Sequence, residues 1–488
     1  MLFSTSTDAL LQQPGVPRAL NRPALAGLLC HEWPELEETY FAAIRRIPAG
    51  HVMRVDQRGS TVTRYWDPSP PDQPVRWVRE VEMDRFETLL RQAVERGLAL
   101  GPSAVLLSGG LDSVSVAAMA ADAARDRQQP LPLALSVKYP EEAGNEETVQ
   151  RGVARALGVP QIVQPFDALI DRHGMVRSTL AMSADWPWPV QNPWNPAYSR
   201  LSETAVEQGC RVLFSGDGGD EWMAVSPLYA ADLLRSGDAR GLARFATMTV
   251  RSYQMNGRRT AGLLWTYAAR ALAFRTAGQI LRRVAPGVIV RRRRRRMEGQ
   301  TPAWVTPDPG LRREFRARRE RAIARLDAGP GPRQFYLRNM RSLLASVSRS
   351  MEREESFETG RRLGLHVVDP YWDVDLVDFL YRVPPDLLLW NGRSKGPARR
   401  FVARRLPGLG FEQQRKVTLS TYYRDRLHRE IGEAWRHLGG FGALGAAGLV
   451  DPRGVDESMR RVMANPEAGD LARLVGVLNV EAWLRPRL

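Results

Sequence analysis

The pattern of hydrophobic and polar positions changes period along this chain at about residue 83. Before that point, "FAAIRRIPAGHVMRV" sets a Pro-Ala-Gly turn ahead of alternating positions such as Val52 and Arg54, and "GSTVTRYWDP" reads as a strand stopped by proline. Residues 1–78 are therefore expected to form short strands and turns, with "SPPDQP" (69–74) as a linker. From Met83 to Leu100 the apolar residues fall at helical spacing and end at Gly101. Beyond it, short apolar runs alternate with helical segments. "SAVLL" precedes an alanine-rich helix, "PLALSV" precedes a helix over about 146–157, and the helical "RLSETAVEQG" leads into "RVLF". Such alternation predicts an α/β fold, a parallel sheet with flanking helices. Residues 222 to about 480 read as mostly helical, and no internal repeat is apparent.

Composition narrows the class. The 488 residues suffice for two or three domains, and 43% hydrophobic residues with 13 tryptophans exclude a disordered chain. No run of about 18 uninterrupted apolar residues occurs, and "MLFSTSTDALL" lacks the basic start and apolar stretch of a signal peptide. A soluble cytoplasmic protein with no membrane span is expected. Cys30 and Cys210 give neither a disulfide framework nor a metal-site spacing. The net charge is +16, yet only three of the 70 basic residues are lysines: Lys138, Lys395 and Lys416. Where arginine is the default cation, a retained lysine marks a place that needs a compact ammonium.

Two loops carry the chemistry. In "VLLSGGLDS", Gly109 and Gly110 let backbone N–H groups approach an anion, while Ser108 and Ser113 add hydroxyls ahead of a helix N-terminus. Asp112 would repel a phosphate unless Mg²⁺ lay between them. By itself the run reads equally as a strand-to-helix turn with an aspartate cap. The second loop, "VLFSGDGGDEW", again follows a short apolar run and offers Asp217, Asp220 and Glu221. Asp112 and Asp220 could share one Mg²⁺ held on a triphosphate. The chain has no G-x-x-x-x-G-K-[ST] sequence, which excludes a Walker-type site.

Ser-Gly-Gly-Leu-Asp-Ser resembles the pyrophosphate loop of the ATP pyrophosphatases, and with "SGDGGDE" the chain resembles the synthetase domain of the asparagine synthetase family. "RYWDP" and "IPAGH" are similar to the end of that family's glutaminase domain; "DPYWDVDLVDFLYRVP" (369–384) and "SKGPARRFVARRLP" (394–407) are similar to its C-terminal segments. The resemblance implies a partial, β-rich glutaminase-like domain over 1–78. It implies an ATP-dependent synthetase domain over 79–488, HUP-like at first and mostly helical towards the C-terminus. It also implies adenylation of a carboxylate with release of pyrophosphate, then attack by an amine to give amide and AMP. On that pattern Ser108, Gly109, Gly110, Asp112, Ser113, Ser215 and Gly216 hold the pyrophosphate end of ATP, and Asp112 and Asp220 ligate Mg²⁺. Leu107, Ser136 and Val137 line the adenine pocket. Lys395 meets negative charge as the adenylate forms. Asp217 acts on the incoming amine, and Glu355 and Glu358 are catalytic candidates.

Departures from the family pattern shape the substrate expectation. His366, in "GLHVVDPYWD", replaces the glutamate of a "GVEAR"-like run, and neither cysteine lies near residue 1, where the glutaminase nucleophile belongs. A truncated or degenerate glutaminase unable to hydrolyse glutamine is therefore expected. That favours a substrate carrying its own amine. Closure of a macrolactam on a lasso-type precursor peptide fits, with a leader-binding protein or protease as partner, and "SPLYAADLLRSGDARGL" (226–242) is similar to lasso peptide cyclases. Ammonia-dependent asparagine synthesis is the alternative. An RNA-modifying ATP pyrophosphatase is the third reading: the arginine run 291–296 would contact phosphates, but the second loop and the absence of paired cysteines argue against a nucleic-acid partner.

Overall fold

The computed structural model describes residues 1–488 apart from 69, 71–73, 141–144, 254, 275–276, 278–284, 286–298, 300, 328–333 and 466–470, and apart from the side chains of 322–327. The arginine run 291–296 and part of the expected linker lie outside the described residues.

Strands β1 (His51–Asp56) and β2 (Gly59–Arg64) form an antiparallel hairpin. Strands β3 (Ser103–Leu106), β4 (Leu133–Lys138), β5 (Gln161–Pro165), β6 (Val212–Phe214) and β7 (His366–Val368) form a second sheet, every pair parallel, in the order β5-β4-β3-β6-β7. The chain builds outward from β3 to β5, then crosses to the other side of β3 to lay down β6 and β7. The order thus reverses between β3 and β6, and such a switch point opens a crevice at the carboxyl ends of the strands.

Five helices matter to the crevice: α1 (Arg85–Leu98), α2 (Leu111–Asp126), α3 (Gly219–Met223), α4 (Val347–Leu363) and α5 (Gly396–Arg405). Six alanines of α2, among them Ala117 and Ala121, are buried, and these small side chains admit α1 and α5 closely on either side. Expected helices at 83–100 and 146–157 appear as α1 and as Glu147–Leu157.

Residues 1–78 show the expected strands as the single hairpin, together with two short helices, Thr7–Leu11 and Arg22–Leu28, that the pattern did not predict. Ser6 and Asn21 cap them through their side chains. Ala24, Leu25, Leu29, Tyr40, Phe41 and Ile44 share a hydrophobic core with Phe315, Met351, Ile431 and Trp483. Phe41 meets the Trp483 ring edge-on at 5.6 Å, and Arg46 pairs with Glu354 at 2.7 Å. Among the described residues no helix is long and apolar enough to cross a membrane.

Candidate functional site

The loops after β3 and β6 lie side by side at the switch point. Leu107 still bonds to the sheet, its N–H reaching the Leu135 carbonyl at 2.8 Å. Ser108 to Gly110 then turn the chain into α2. Gly110 is the N-cap and makes no side-chain capping bond. Asp112 sits inside the first turn with its carboxylate directed elsewhere, so the alternative of an aspartate cap does not hold. Within the turn, Ser108 Oγ and Ser113 Oγ are 2.8 Å apart and the Gly110 N–H donates to Ser108 Oγ at 3.1 Å.

The second loop explains its own glycines. Gly218 has φ +95°, in the left-handed region where a side chain is strained, and it starts α3. A Cβ on Gly216 would stand 2.6 Å from the Ser113 nitrogen, and one on Gly219 would collide with the Asp112 carboxylate. These glycines therefore let the two loops pack into contact, which brings Asp112 and Asp220 to one point.

At that point stands Lys395. Its ammonium bonds Asp112 Oδ2 and lies 2.8 Å from Asp220 Oδ1, while Lys416 Nζ takes Asp220 Oδ2 at 2.8 Å. Lys395 has φ +60°, unusual for a residue with a Cβ, and is the N-cap residue of α5. Two of the three lysines thus converge on one aspartate; the third, Lys138, pairs with Glu147. Burial raises the Asp112 pKa although Lys395 opposes it. Burial also acts to raise Asp220, but Lys395 and Lys416 prevail and hold it down at about 2. For Lys395, burial disfavours the charge, yet Asp112 and Asp220 overcome it and keep the ammonium protonated above the ordinary lysine range.

Asp112 Oδ1 is buried and lacks a hydrogen-bond partner. An orphaned carboxylate oxygen beside a second carboxylate fits a hard divalent cation. Among the described residues no group of three or more acidic, His or Cys side chains could hold a metal alone. Two protein carboxylates with the remaining sites left to water and phosphate is the usual arrangement for Mg²⁺.

A cleft of about 540 Å³ rises over this cluster. Ser108, Gly110, Asp112, Ser113, Ser215, Gly216, Asp217 and Asp220 contribute to its walls, as do Leu107 and Val137. Ser136 lies behind the wall: it is buried, its hydroxyl donating to the Leu107 carbonyl at 2.8 Å. Gly109 donates its N–H to Glu146 Oε2 at 3.1 Å. Asp217 is ion-paired with Arg353 and accepts from Trp372 Nε1 at 3.1 Å, so its carboxylate is already engaged. Glu355 lines the cleft, buried, accepting from the Gln191 N–H at 2.6 Å and Asn195 Nδ2 at 2.7 Å. Burial pushes its pKa up to about 8. Glu358 is one turn away but belongs to an ion-pair cluster with Arg361 and Arg362. Those arginines outweigh its burial and hold its pKa down. Cys30 is buried, its thiol pushed up to about 11 by desolvation, which makes it a poor nucleophile.

Sequence reasoning assigned no role to Glu146, Arg353 or Asp369, all of which line the cleft. Lys416 carried a signal, the rarity of lysine, but no motif.

A parallel α/β sheet with two acidic glycine loops meeting at its switch point defines a protein class built for a charged ligand at the strand ends. Residues 85–485 match the sequence model of the asparagine synthase family, and residues 1–66 match that of a glutamine amidotransferase domain. The chain belongs to the asparagine synthase family. Among curated relatives, it is similar to "Amidase chyE" of Penicillium rubens, 30% identical over 42% of this chain and 32% of the relative. It is also similar to "Amidase chry2" of Gibberella zeae, 28% identical over the same shares. The chain thus spans about a third of the length of these relatives.

Proposed function

We propose that this chain is an ATP-dependent, AMP-forming carbon–nitrogen ligase that closes an amide within a precursor peptide. The observation that carries the reading is the Asp112–Lys395–Asp220 cluster, with its orphaned oxygen, at the foot of the cleft. The substrate carboxylate oxygen attacks the α-phosphorus, the α–β phosphoanhydride bond breaks, and pyrophosphate leaves. The amine nitrogen then attacks the acyl carbon, the bond to AMP breaks, and the amine proton passes to a base.

Bound Mg²⁺, held by Asp112 and Asp220, would neutralise charge on the phosphate chain. The Lys395 ammonium, held at the foot of the cleft by Asp112 and Asp220, supplies positive charge to the anionic oxygens as the adenylate forms and collapses, the kind of preorganised charge that contributes most to such steps. Ser108, Ser113 and the N-terminus of α2 hold the leaving pyrophosphate. Glu355, with its pKa near 8, is matched to taking the amine proton near neutral pH, whereas Asp217 serves as a positioning group through Arg353. Residues 1–78 and 79–488 are proposed as glutaminase-like and synthetase units. Macrolactam closure rests on the likeness of 226–242 to lasso peptide cyclases and on His366 in place of the glutamate. A peptide with its leader-binding protein or protease is the proposed partner.

The test is ATP–pyrophosphate exchange with purified protein and candidate carboxylates. Exchange should require Mg²⁺ and fall at least about 100-fold in Lys395→Met and in Asp112→Asn. Exchange with free aspartate and not with peptides would move the reading to asparagine synthesis. Exchange unaffected in Asp112→Asn, or absent with every carboxylate, overturns adenylation.

A further inference from the structure

A second chamber, of about 450 Å³, lies against the first cleft, and Asp220 and Arg349 stand in the walls of both. Its volume is that of a small-molecule site. Charge is gathered towards the shared wall, where Lys416 pairs with Asp220 and Arg349 pairs with Glu221 at 3.1 Å. Ser226, Thr249 and Asn339 add polar groups, but most of the remaining wall is apolar and comes from three separate helical segments: Phe245 and Met248 on Ala239–Tyr253, Leu263 on Gly257–Leu264, and Met340 and Leu343 on Phe335–Leu344. Leu263 and Leu343 are half-buried and give the chamber its open apolar face, while Phe245, Met248 and Met340 are packed almost fully behind it.

An ammonium or a second carboxylate, such as free aspartate carries, would gain no partner against Leu263 and Leu343, and burying an unpaired charge is costly. An apolar group gains by the same burial. Met255 stands half-buried in the same wall, and methionine adapts its shape to varied apolar partners, which suits a side chain of a peptide more than one fixed small molecule. We infer that this chamber binds an apolar group carried by the acyl substrate beside its reacting carboxylate, with the wall at Asp220 and Arg349 separating that group from ATP. The inference rests on the adenylation reading for the identity of the occupant, and it names the substrate class as an acidic residue flanked by an apolar one.

The probes are acetyl-Asp-Gly-amide, acetyl-Asp-Phe-amide and free aspartate, each followed by ATP–pyrophosphate exchange and by isothermal calorimetry with the full chain. The Phe peptide should show a KM and a Kd at least about 10-fold below those of the Gly peptide, as expected for burying one aromatic side chain. Leu263→Trp, on the open apolar wall, narrows the chamber and should reduce that preference to less than about threefold. Leu343→Trp, at a half-buried position, provides the same test should the first variant fail to fold. Equal Kd values for the two peptides, no binding of either, or aspartate bound as tightly as the Phe peptide overturns the inference. A calorimetric preference for Phe, lost in the narrowed variants, in the absence of exchange with any probe upholds the chamber and instead overturns adenylation.

Discussion

At the scale of the residue, one carboxyl group sets a pH dependence. Glu355 is buried beside Glu352 and Glu354, and burial raises its pKa from the ordinary glutamate range near 4.5 to about 8. Between those two values the folded chain holds a proton that the unfolded chain has released, so stability attributable to Glu355 falls as pH rises and is lost above about 8. Glu355→Gln cannot release that proton. Urea unfolding should therefore show wild type losing stability relative to the variant from pH 5 to about 8, and amide formation by the variant should lack the increase with pH that ionisation of Glu355 gives wild type. Parallel stability profiles for the two proteins would refute the raised pKa. Residues differ in how much of this was legible. Lys395 and Lys416 stand out against a background of arginine, and Asp112 and Asp220 sit in patterned loops. Glu146 and Arg353 could not be singled out, because each acts only through a neighbour brought in from elsewhere: the Gly109 N–H for one, Asp217 and the Trp372 ring for the other. Asp217 looked like a free acid in the sequence for the same reason.

Elements were legible according to where they lie in the sheet. The central strands β3, β4 and β6 read as apolar runs because neighbours cover both faces. The strands that the pattern did not reveal, β5 and β7, are the two edges of the sheet. β5 is half-buried along most of its length, and β7 is three residues long with His366 exposed. Neither needs an uninterrupted apolar run. The glycine loops show a second kind of legibility, since their glycines signalled a close approach that proved to be loop against loop. Gly216→Ala should cost about 1–3 kcal/mol through overpacking against Ser113 and should abolish exchange by separating Asp112 from Asp220. Gly257→Ala meets nothing within 4 Å and should be neutral or slightly stabilising. Chemical denaturation of both variants checks the pair, and equal stability would contradict the packing of the two loops.

At the scale of the whole molecule, the family match in two segments suggests two units, but the packing ties them. Tyr40 and Phe41 lie in one core with Trp483 and Met351. Phe41→Ala should destabilise that core by about 3–5 kcal/mol. In calorimetry the main transition should shift as a whole, with no separate N-terminal transition moving alone. A small early transition that alone responds to the substitution would show that residues 1–78 fold independently.

The late position of Lys395 has a consequence for synthesis. Asp112 and Asp220 emerge from the ribosome with their loops, but β7 does not follow until residue 366, and the lysine that separates the two carboxylates comes later still. Strand pairing across so long a stretch is slow to form. Until the final quarter of the chain is made, the two acidic loops have no cation from Lys395 or Lys416 between them, so the charge-balanced cluster is completed only after β3 and β6 have both been made. The cation at the centre of the cluster is thus among the last of its parts to be made.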